Sequence, residues 1–286
     1  MQPAPSPSKL LDALRQRKIL LGVVHLRPLP GSPRNDQTTL DEIVTRAETD
    51  AQTLLDAGFD GYIIENFGDT PFFAERVPPH VLTTMTRVAL ALPRSAVSRP
   101  AGPENSARVG ANVLRNDARG GLAVALAAGL DFIRVNVHCG AAVTDQGVIQ
   151  GDAATTIRER SELAPNVAIL ADVDVKHAAP LGARFDIAEA ARETAYRGLA
   201  DSLIVTGAAT GSDASPDDLR RVVEAVPDTP VFVGSGVTSE SVRDLRGKAS
   251  GGIVGTAVKV DGDVEQPVDA DRAQRFVEAA RSKKRS

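Results

Sequence analysis

The sequence predicts a single (β/α)8 barrel of the α/β class, preceded by an N-terminal helical extension. Three observations lead there. Short apolar runs alternate with longer helical patterns eight times, 286 residues suit one large α/β domain, and polar side chains gather where the apolar runs end. Alternation of strand and helix implies parallel strands joined by helical crossovers. The competing doubly wound sheet would carry a glycine-rich phosphate fingerprint after its first strand, and "VVHLRPLPGSP" is not one.

Residues 1–18 read as the extension, 19–282 as the barrel and 283–286 as a basic, solvated tail. The first strand is "ILLGVVHL" (19–26). A helix follows with Ile43, Ala47, Ala51 and Leu54 on one face, opened by "TLDE" (39–42), a capping box in which Thr39 and Glu42 satisfy each other's free amides. "GYIIENF" (61–67) and a helix through 80–92 form the second unit, and "ARVGANVLRN" (107–116) with "DARGGLAVALAAG" (117–129) the third. "DFIRVNVH" (131–138) leads to a helix near 152–163, and "NVAILADVDVKH" (166–177) to one over 186–198. "DSLIVTG" (201–207) precedes a helix at 215–226, with Ser215 as N-cap, Pro216 at the first helical position and Asp218 at the third. "PVFVGSG" (230–236) leads to "SESVRDLR" (239–246), and "GGIVGTA" (251–257) to the last helix, 269–282. No linker divides the chain.

Composition narrows the function. Hydrophobic residues at 42% and charged residues at 24% describe a packed globular chain rather than a disordered one. Aromatics at 3%, with no Trp, leave the core to Val, Leu, Ile and Ala. A formal net charge of −4 argues against a general nucleic-acid binder. The lone Cys139 rules out an intrachain disulfide and a Cys-rich zinc site, and its expected role is packing. With no signal-peptide pattern and no apolar stretch approaching about 18 residues, the expectation is a cytoplasmic protein without a membrane span. A homo-oligomer is compatible with the sequence but not read from it.

In this fold the chemistry sits at the C-terminal ends of the strands. His25 ends the first apolar run, and Glu65 and Asn66 the second. Asn112, Asn116 and Asp117 follow the third. Arg134, Asn136 and His138 alternate along the fourth, Asp172, Asp174 and Lys176 along the fifth, and Thr206 ends the sixth. Any one of these alone reads as a loop tether. Their convergence on one barrel mouth reads as a pocket, because so many buried polar groups need partners. Gly234, Ser235 and Gly236 after the seventh strand, and Gly255 with Thr256 after the eighth, let backbone amides approach an anion, where such barrels commonly hold phosphate. "GAATGS" (207–212) reads equally as pocket floor or tight turn.

"ADVDVKH" (171–177) leaves alternatives open. Period two puts Asp172, Asp174 and Lys176 on one face. The two carboxylates, about 6–7 Å apart along the strand, would hold a divalent metal, with Glu65 or His25 completing the ligands. Alternatively one aspartate moves protons while Lys176 stabilises developing charge. A Schiff-base lysine is disfavoured, because neighbouring carboxylates raise its pKa. A purely structural ion pair is the remaining reading.

Several of these stretches, "VVHLRPLPGSPR", "IIENFGD", "GANVLRND", "IRVNVHCGA", "DQGVIQG" and "ILADVDVKHAAPLG", resemble the BtpA/SgcQ family. The resemblance continues through "LIVTGAATG", "VFVGSGVT" and "GGIVGTAVKVDG", so it covers nearly the whole chain. It implies a phosphate-binding TIM barrel and a name linked to photosystem I biogenesis, and it brings no settled reaction. The approach to the third strand (94–113) departs from the family and reads as a surface loop. The expectation is therefore an enzyme acting on a small phosphorylated or anionic metabolite, a sugar or nucleoside derivative. Its groups would be Asp172, Asp174, Lys176, Glu65 and His138 for catalysis, and His25, Asn66, Asn112, Asn136 and Thr206 for the substrate. Gly234, Ser235, Gly236, Gly255 and Thr256 would hold the phosphate. The alternative is a non-catalytic assembly or stability factor.

Overall fold

The computed structural model describes residues 9–97, 106–174, 178–181, 185–207, 215–234, 236–239, 241–242 and 249–282. Lys176, Ser235, most of "GAATGS", most of the 239–246 helix and part of the 94–113 loop lie outside the described residues.

Counted in chain order, eight parallel strands close into a barrel: β1 (Ile19–His25), β2 (Gly61–Glu65), β3 (Arg108–Asn112), β4 (Phe132–Val135), β7 (Ala168–Asp174), β9 (Ser202–Thr206), β10 (Val231–Gly234) and β11 (Gly251–Val254). Each pairs with the next in that order, and β11 pairs back onto β1. The eightfold alternation is thus the eight-stranded barrel that the sequence predicts. Around it run α2 (Leu40–Ala57), α3 (Pro79–Ala91), α4 (Ala118–Ala128), α5 (Ala153–Leu163), α6 (Ile187–Arg192), α7 (Pro216–Ala225) and α8 (Ala270–Arg281).

The strands read as continuous apolar runs because both faces are covered. In β1, Leu20 and Val24 face outward to Ile43, Ala47, Ala51 and Leu54 of α2, while Leu21 and Val23 face the interior. The helix ends follow the sequence signals. Thr39 and Glu42 form the reciprocal capping box of α2, and Ser215 accepts the Asp218 amide at the start of α7.

Two phenylalanines, Phe132 and Phe232, fill the barrel axis together with Ile63, Leu170, Ile204 and Ile253. Each is admitted by a glycine on a neighbouring strand. A Cβ at Gly110 would collide with the Phe132 ring, and one at Gly251 with the Phe232 ring. The extension folds as α1 (Lys9–Gln16), whose Leu10 and Leu11 join this axial cluster next to Ile19 and Ala168. It packs against the N-terminal end of the barrel interior, which is a filled core. Asp60 ties this end together, accepting from the Leu20 amide at 2.8 Å and from the Arg17 and Arg281 guanidiniums.

At the opposite end stands a sheet that the alternation pattern does not foretell. β5 (Ala141–Thr144) and β6 (Gly147–Gln150) form a hairpin, and β8 (Ala178–Pro180) adds antiparallel to β5. Its inner face, Ala142 and Ile149, packs on Val137.

Gly110→Ala should overpack the axis against Phe132 and destabilise the fold by about 1–3 kcal/mol. Urea unfolding would read this as a lower midpoint at constant slope, and restoring space with Phe132→Leu in the same chain should recover part of the loss.

Candidate active site at the barrel mouth

Above the two phenylalanines the interior turns polar. Arg134 on β4 lies in register with Leu170, one inward-facing position below Asp172 on β7. Its guanidinium reaches up to Asp172 with both ends, Nε to Oδ1 at 3.1 Å and Nη2 to Oδ2 at 3.0 Å. Nη1 turns the other way, to Glu65 Oε1 on β2 at 3.1 Å. Asn112 on β3 donates to the same Glu65 oxygen at 3.2 Å, and Asn136 donates to Asp172 Oδ2 at 2.8 Å. All five residues are at most 7% exposed. Burial pushes the Arg134 pKa down, but the charges of Asp172 and Glu65 and their hydrogen bonds hold it above the ordinary arginine value.

Beside this network lies a cavity of about 150 Å³. Arg134, Glu65 and His25 line one side, and Gly236, Gly255 and Thr256 the other. Gly236 has φ +68°, a left-handed conformation that favours glycine. Gly255 is a glycine for space, since a Cβ there would lie 2.9 Å from His25 Cε1. His25 also meets Phe67 edge to face, with ring centroids 4.9 Å apart. Three Arg134 donors go to carboxylates, which leaves N–H groups of this fork for a ligand in the cavity. Positive charge, backbone amides and small residues on one concave surface suit an anion.

The two aspartates of β7 do not share one face. Asp172 pairs with Ile204 and Asp174 with the adjacent Val205, so the strand bulges at Val173 and the alternation breaks. Ile204 faces the axis and Val205 faces outward. Asp174 is half-buried, and its pKa is raised by burial, by Asp218 at the start of α7 and by Asp172. Both oxygens of Asp172 are committed to Arg134 and Asn136. The described donors therefore do not fit the expected metal pair: among the described residues no group of three or more His, Cys, Asp and Glu side chains is placed to hold a metal ion.

Other expected site residues serve as tethers. Asn66 accepts the Leu114 amide at 2.7 Å and donates to Asp69, which fixes the loop after β2. The Thr206 hydroxyl donates to the Asp174 carbonyl at 2.7 Å and holds the bulged strand end. Gly234 ends β10 within the barrel wall, opposite Thr206 and Ile253. His138 is not brought to the mouth network. β4 ends at Val135, the period-two alternation stops there, and the His138 ring meets the Gly198 carbonyl at 2.8 Å. Since that carbonyl only accepts, Nε2 carries the proton, and burial lowers the pKa.

Two features escaped the sequence. Arg134 was visible on the polar face of its strand, but its central position depends on which strands flank it. Arg115, 5% exposed, adds a second guanidinium whose charge interacts with Asp145, Asp172, Arg134 and Glu65. No helix among the described residues is long and apolar enough to cross a membrane.

Comparison with known proteins gives the following. The model of the BtpA family matches residues 16–282. The photosystem I biogenesis protein BtpA of Synechocystis is 43% identical over 94% of this chain and 90% of its own length. A Thermococcus kodakarensis protein is 42% identical over 95% of this chain and 98% of its own. Among solved structures, thiamine phosphate pyrophosphorylase from Pyrococcus furiosus superposes with a TM-score of 0.54 at 17% identity, covering 93% of this chain and 97% of its own. That likeness is one of fold.

Two outcomes follow from the geometry. Arg134→Met should leave two buried carboxylates without their cation and cost about 3–5 kcal/mol, read as a lower denaturant midpoint. His138 has a folded pKa below its unfolded value of 6.5, so the unfolded state binds more protons as the pH falls. Its contribution is full above about pH 6.5 and is lost as the pH drops through the folded pKa. His138→Asn should therefore lose less stability than the wild type between pH 7 and 5, as measured by thermal unfolding at each pH.

Proposed function

The chain belongs to the BtpA family, and from that premise we propose that it is an enzyme acting on a small phosphorylated or otherwise anionic metabolite by acid–base chemistry at the barrel mouth. The observation that carries this is the cavity in which Arg134, Glu65 and His25 face the loops of Gly236 and of Gly255 and Thr256. Gly236, Gly255 and Thr256 hold the anion, and Arg134 adds charge from the axis; Gly234 and Ser235 are the proposed phosphate-binding neighbours in the chain. Asp172 acts as a positioning residue, because it fixes the guanidinium plane bidentately. Asp174, beyond the bulge and in register with Val205 rather than lining the cavity, is the proposed general acid or base on the strength of its raised pKa. Its half-burial and its like-charged neighbours raise its pKa, the usual arrangement for a carboxyl that must move a proton near neutral pH. His25, the imidazole lining the cavity, orients the substrate or shares the proton transfer. Lys176 follows Asp174 in the chain and keeps its proposed role of stabilising developing charge. The reaction class consistent with these groups is proton-coupled cleavage or isomerisation, and a cytoplasmic setting suits it.

The second reading, an assembly or stability factor, is favoured by the printed name of the Synechocystis relative at 43% identity. It predicts that substitutions in the mouth leave the activity of a cell-based assembly assay unchanged. The nearly equal identity of an archaeal relative weighs toward a function that does not require that complex.

Asp174→Asn should lower turnover of a phosphate ester found by screening by about 10²–10⁴-fold, with KM for that ester little changed. Turnover preserved within twofold in a folded variant would sink the assignment of Asp174. Preserved turnover in Arg134→Lys as well would move the chemistry away from the mouth altogether.

A further inference from the structure

The cavity wall that follows β11 is one short stretch of chain. Gly255, Thr256, Ala257 and Gly262 all line the cavity. Between them the chain makes two single turns of 3-10 helix, Thr256–Val258 and Val260–Gly262. Asp261 at φ +55° and Gly262 at φ +70° are both left-handed. Turns of this kind are short and their hydrogen bonds poorly aligned, so local backbone preference does not fix where the wall stands. It has to be held from behind.

Lys259 is the residue between the two turns. It does not line the cavity, and its side chain is fully buried, with Nζ 3.0 Å from Asp50 Oδ2 on α2. The other oxygen of Asp50 accepts the Val268 amide at 2.8 Å and faces Arg46 Nε at 3.3 Å. Lys259 and Val268 pair as an antiparallel bridge, and the Val260 amide donates to the Pro267 carbonyl at 3.0 Å. One carboxylate on α2 therefore holds both limbs of the loop, one through an ammonium group and one through a backbone amide.

The position of Asp50 is unusual. It is 1% exposed and lies on the face of α2 that carries Ile43, Ala47, Ala51 and Leu54 into the core. Packing alone would be served by an apolar pair, because a buried ion pair seldom stabilises more than its apolar replacement. An ion pair adds a requirement of place: its charges offset their desolvation only at one distance and in good geometry.

We propose that Asp50 and Lys259 are a positioning pair for the anion site, setting where the Gly255–Gly262 wall stands and thereby how tightly the cavity binds an anion. This rests on the anion reading given above and extends it to two residues that touch no ligand. Released from α2, the wall would be free to shift, and binding groups misplaced by about 1 Å lose much of their effect even when the fold survives.

The probe is inorganic phosphate, titrated calorimetrically into the full chain. The double variant Asp50→Leu/Lys259→Met replaces the ion pair with apolar side chains of similar size, so its urea midpoint should hold or rise. Phosphate should nonetheless bind it at least about tenfold more weakly than it binds the wild type. In the wild type, the Nζ resonance of Lys259 should shift on addition of phosphate, a reading that stands even if the double variant fails to fold. Unchanged phosphate affinity in the folded double variant, whatever its midpoint, marks a pair that serves the fold alone; it overturns the proposal and spares the anion site. An Nζ resonance indifferent to saturating phosphate does the same. A wild type that binds no phosphate overturns the anion reading and this proposal with it.

Discussion

A guanidinium buried in the axis of a barrel is the constraint around which the rest of the mouth is organised. Taking such an ion out of water costs several kcal/mol even after relaxation, and good geometry with two counter-charges is needed to offset it. Arg134 finds that geometry only because Glu65, Asn112, Asn136 and Asp172 come from four different places around the ring. A one-residue slip of any contributing strand would turn its side chain to the outer face. The network therefore forms only when β2, β3, β4 and β7 are in their native registers, and it reports the correct closure of half the barrel. The packing beneath is tied to the same condition. Phe132 sits two residues before Arg134 on the same strand and face, and it needs Gly110 beside it. The apolar layer and the polar layer are thus set by one strand.

Most of the architecture was legible in the sequence because the barrel repeats a unit whose two halves have different periods. Apolar runs, capping boxes and Ser-Pro helix starts each mark a local event, and local events are what a sequence displays directly. The polar strand ends were legible for the same reason: Glu65, Asn112 and Asp172 each follow an apolar run whose inward-facing residues can be counted. What failed to show was the departure from regularity. Strict alternation placed Asp172 and Asp174 together, and the bulge at Val173 parts them. Alternation carried His138 along with Arg134 and Asn136, and β4 stops three residues too soon for that. The hairpin of β5 and β6 had a readable signal, since Gly147 at φ +97° ends a two-residue turn between short apolar pairs. It was hidden by its position inside what looked like an ordinary strand-to-helix connection.

Tethers and site residues are the hardest to separate in advance. Asn66 and Thr206 stand at strand ends just as Asn112 and Asn136 do, yet they spend their hydrogen bonds on backbone groups of neighbouring loops. The side-chain type is the same and the chain position equivalent. Only the partner differs, and the partner belongs to tertiary structure. Asp172 illustrates the converse. It was a candidate metal ligand by its pattern, and the Arg134 guanidinium, which also reaches Glu65 two strands away, claims both of its oxygens.

The mouth that results is divided into unlike halves. On the side of β2, β3, β4 and β7, charged and amide side chains lock one another, and nearly every donor and acceptor is taken. On the side of β10 and β11, the surface is backbone and glycine, with Gly236 and Gly255 keeping side chains out of the way. Under the proposed function, the locked half supplies fixed dipoles and charge that need not reorganise during a reaction, which is the physical basis of electrostatic preorganisation. The open half supplies room and backbone amides, suited to a group that must bind and leave. Asp174 stands outside the locked network, in register with the outward-facing Val205, and its pKa is raised by burial, by Asp218 and by Asp172. The bulge at Val173 thus gives two aspartates of one strand unlike surroundings: Asp172 is held still by Arg134 and Asn136, and Asp174, two residues later, is half-buried outside that network.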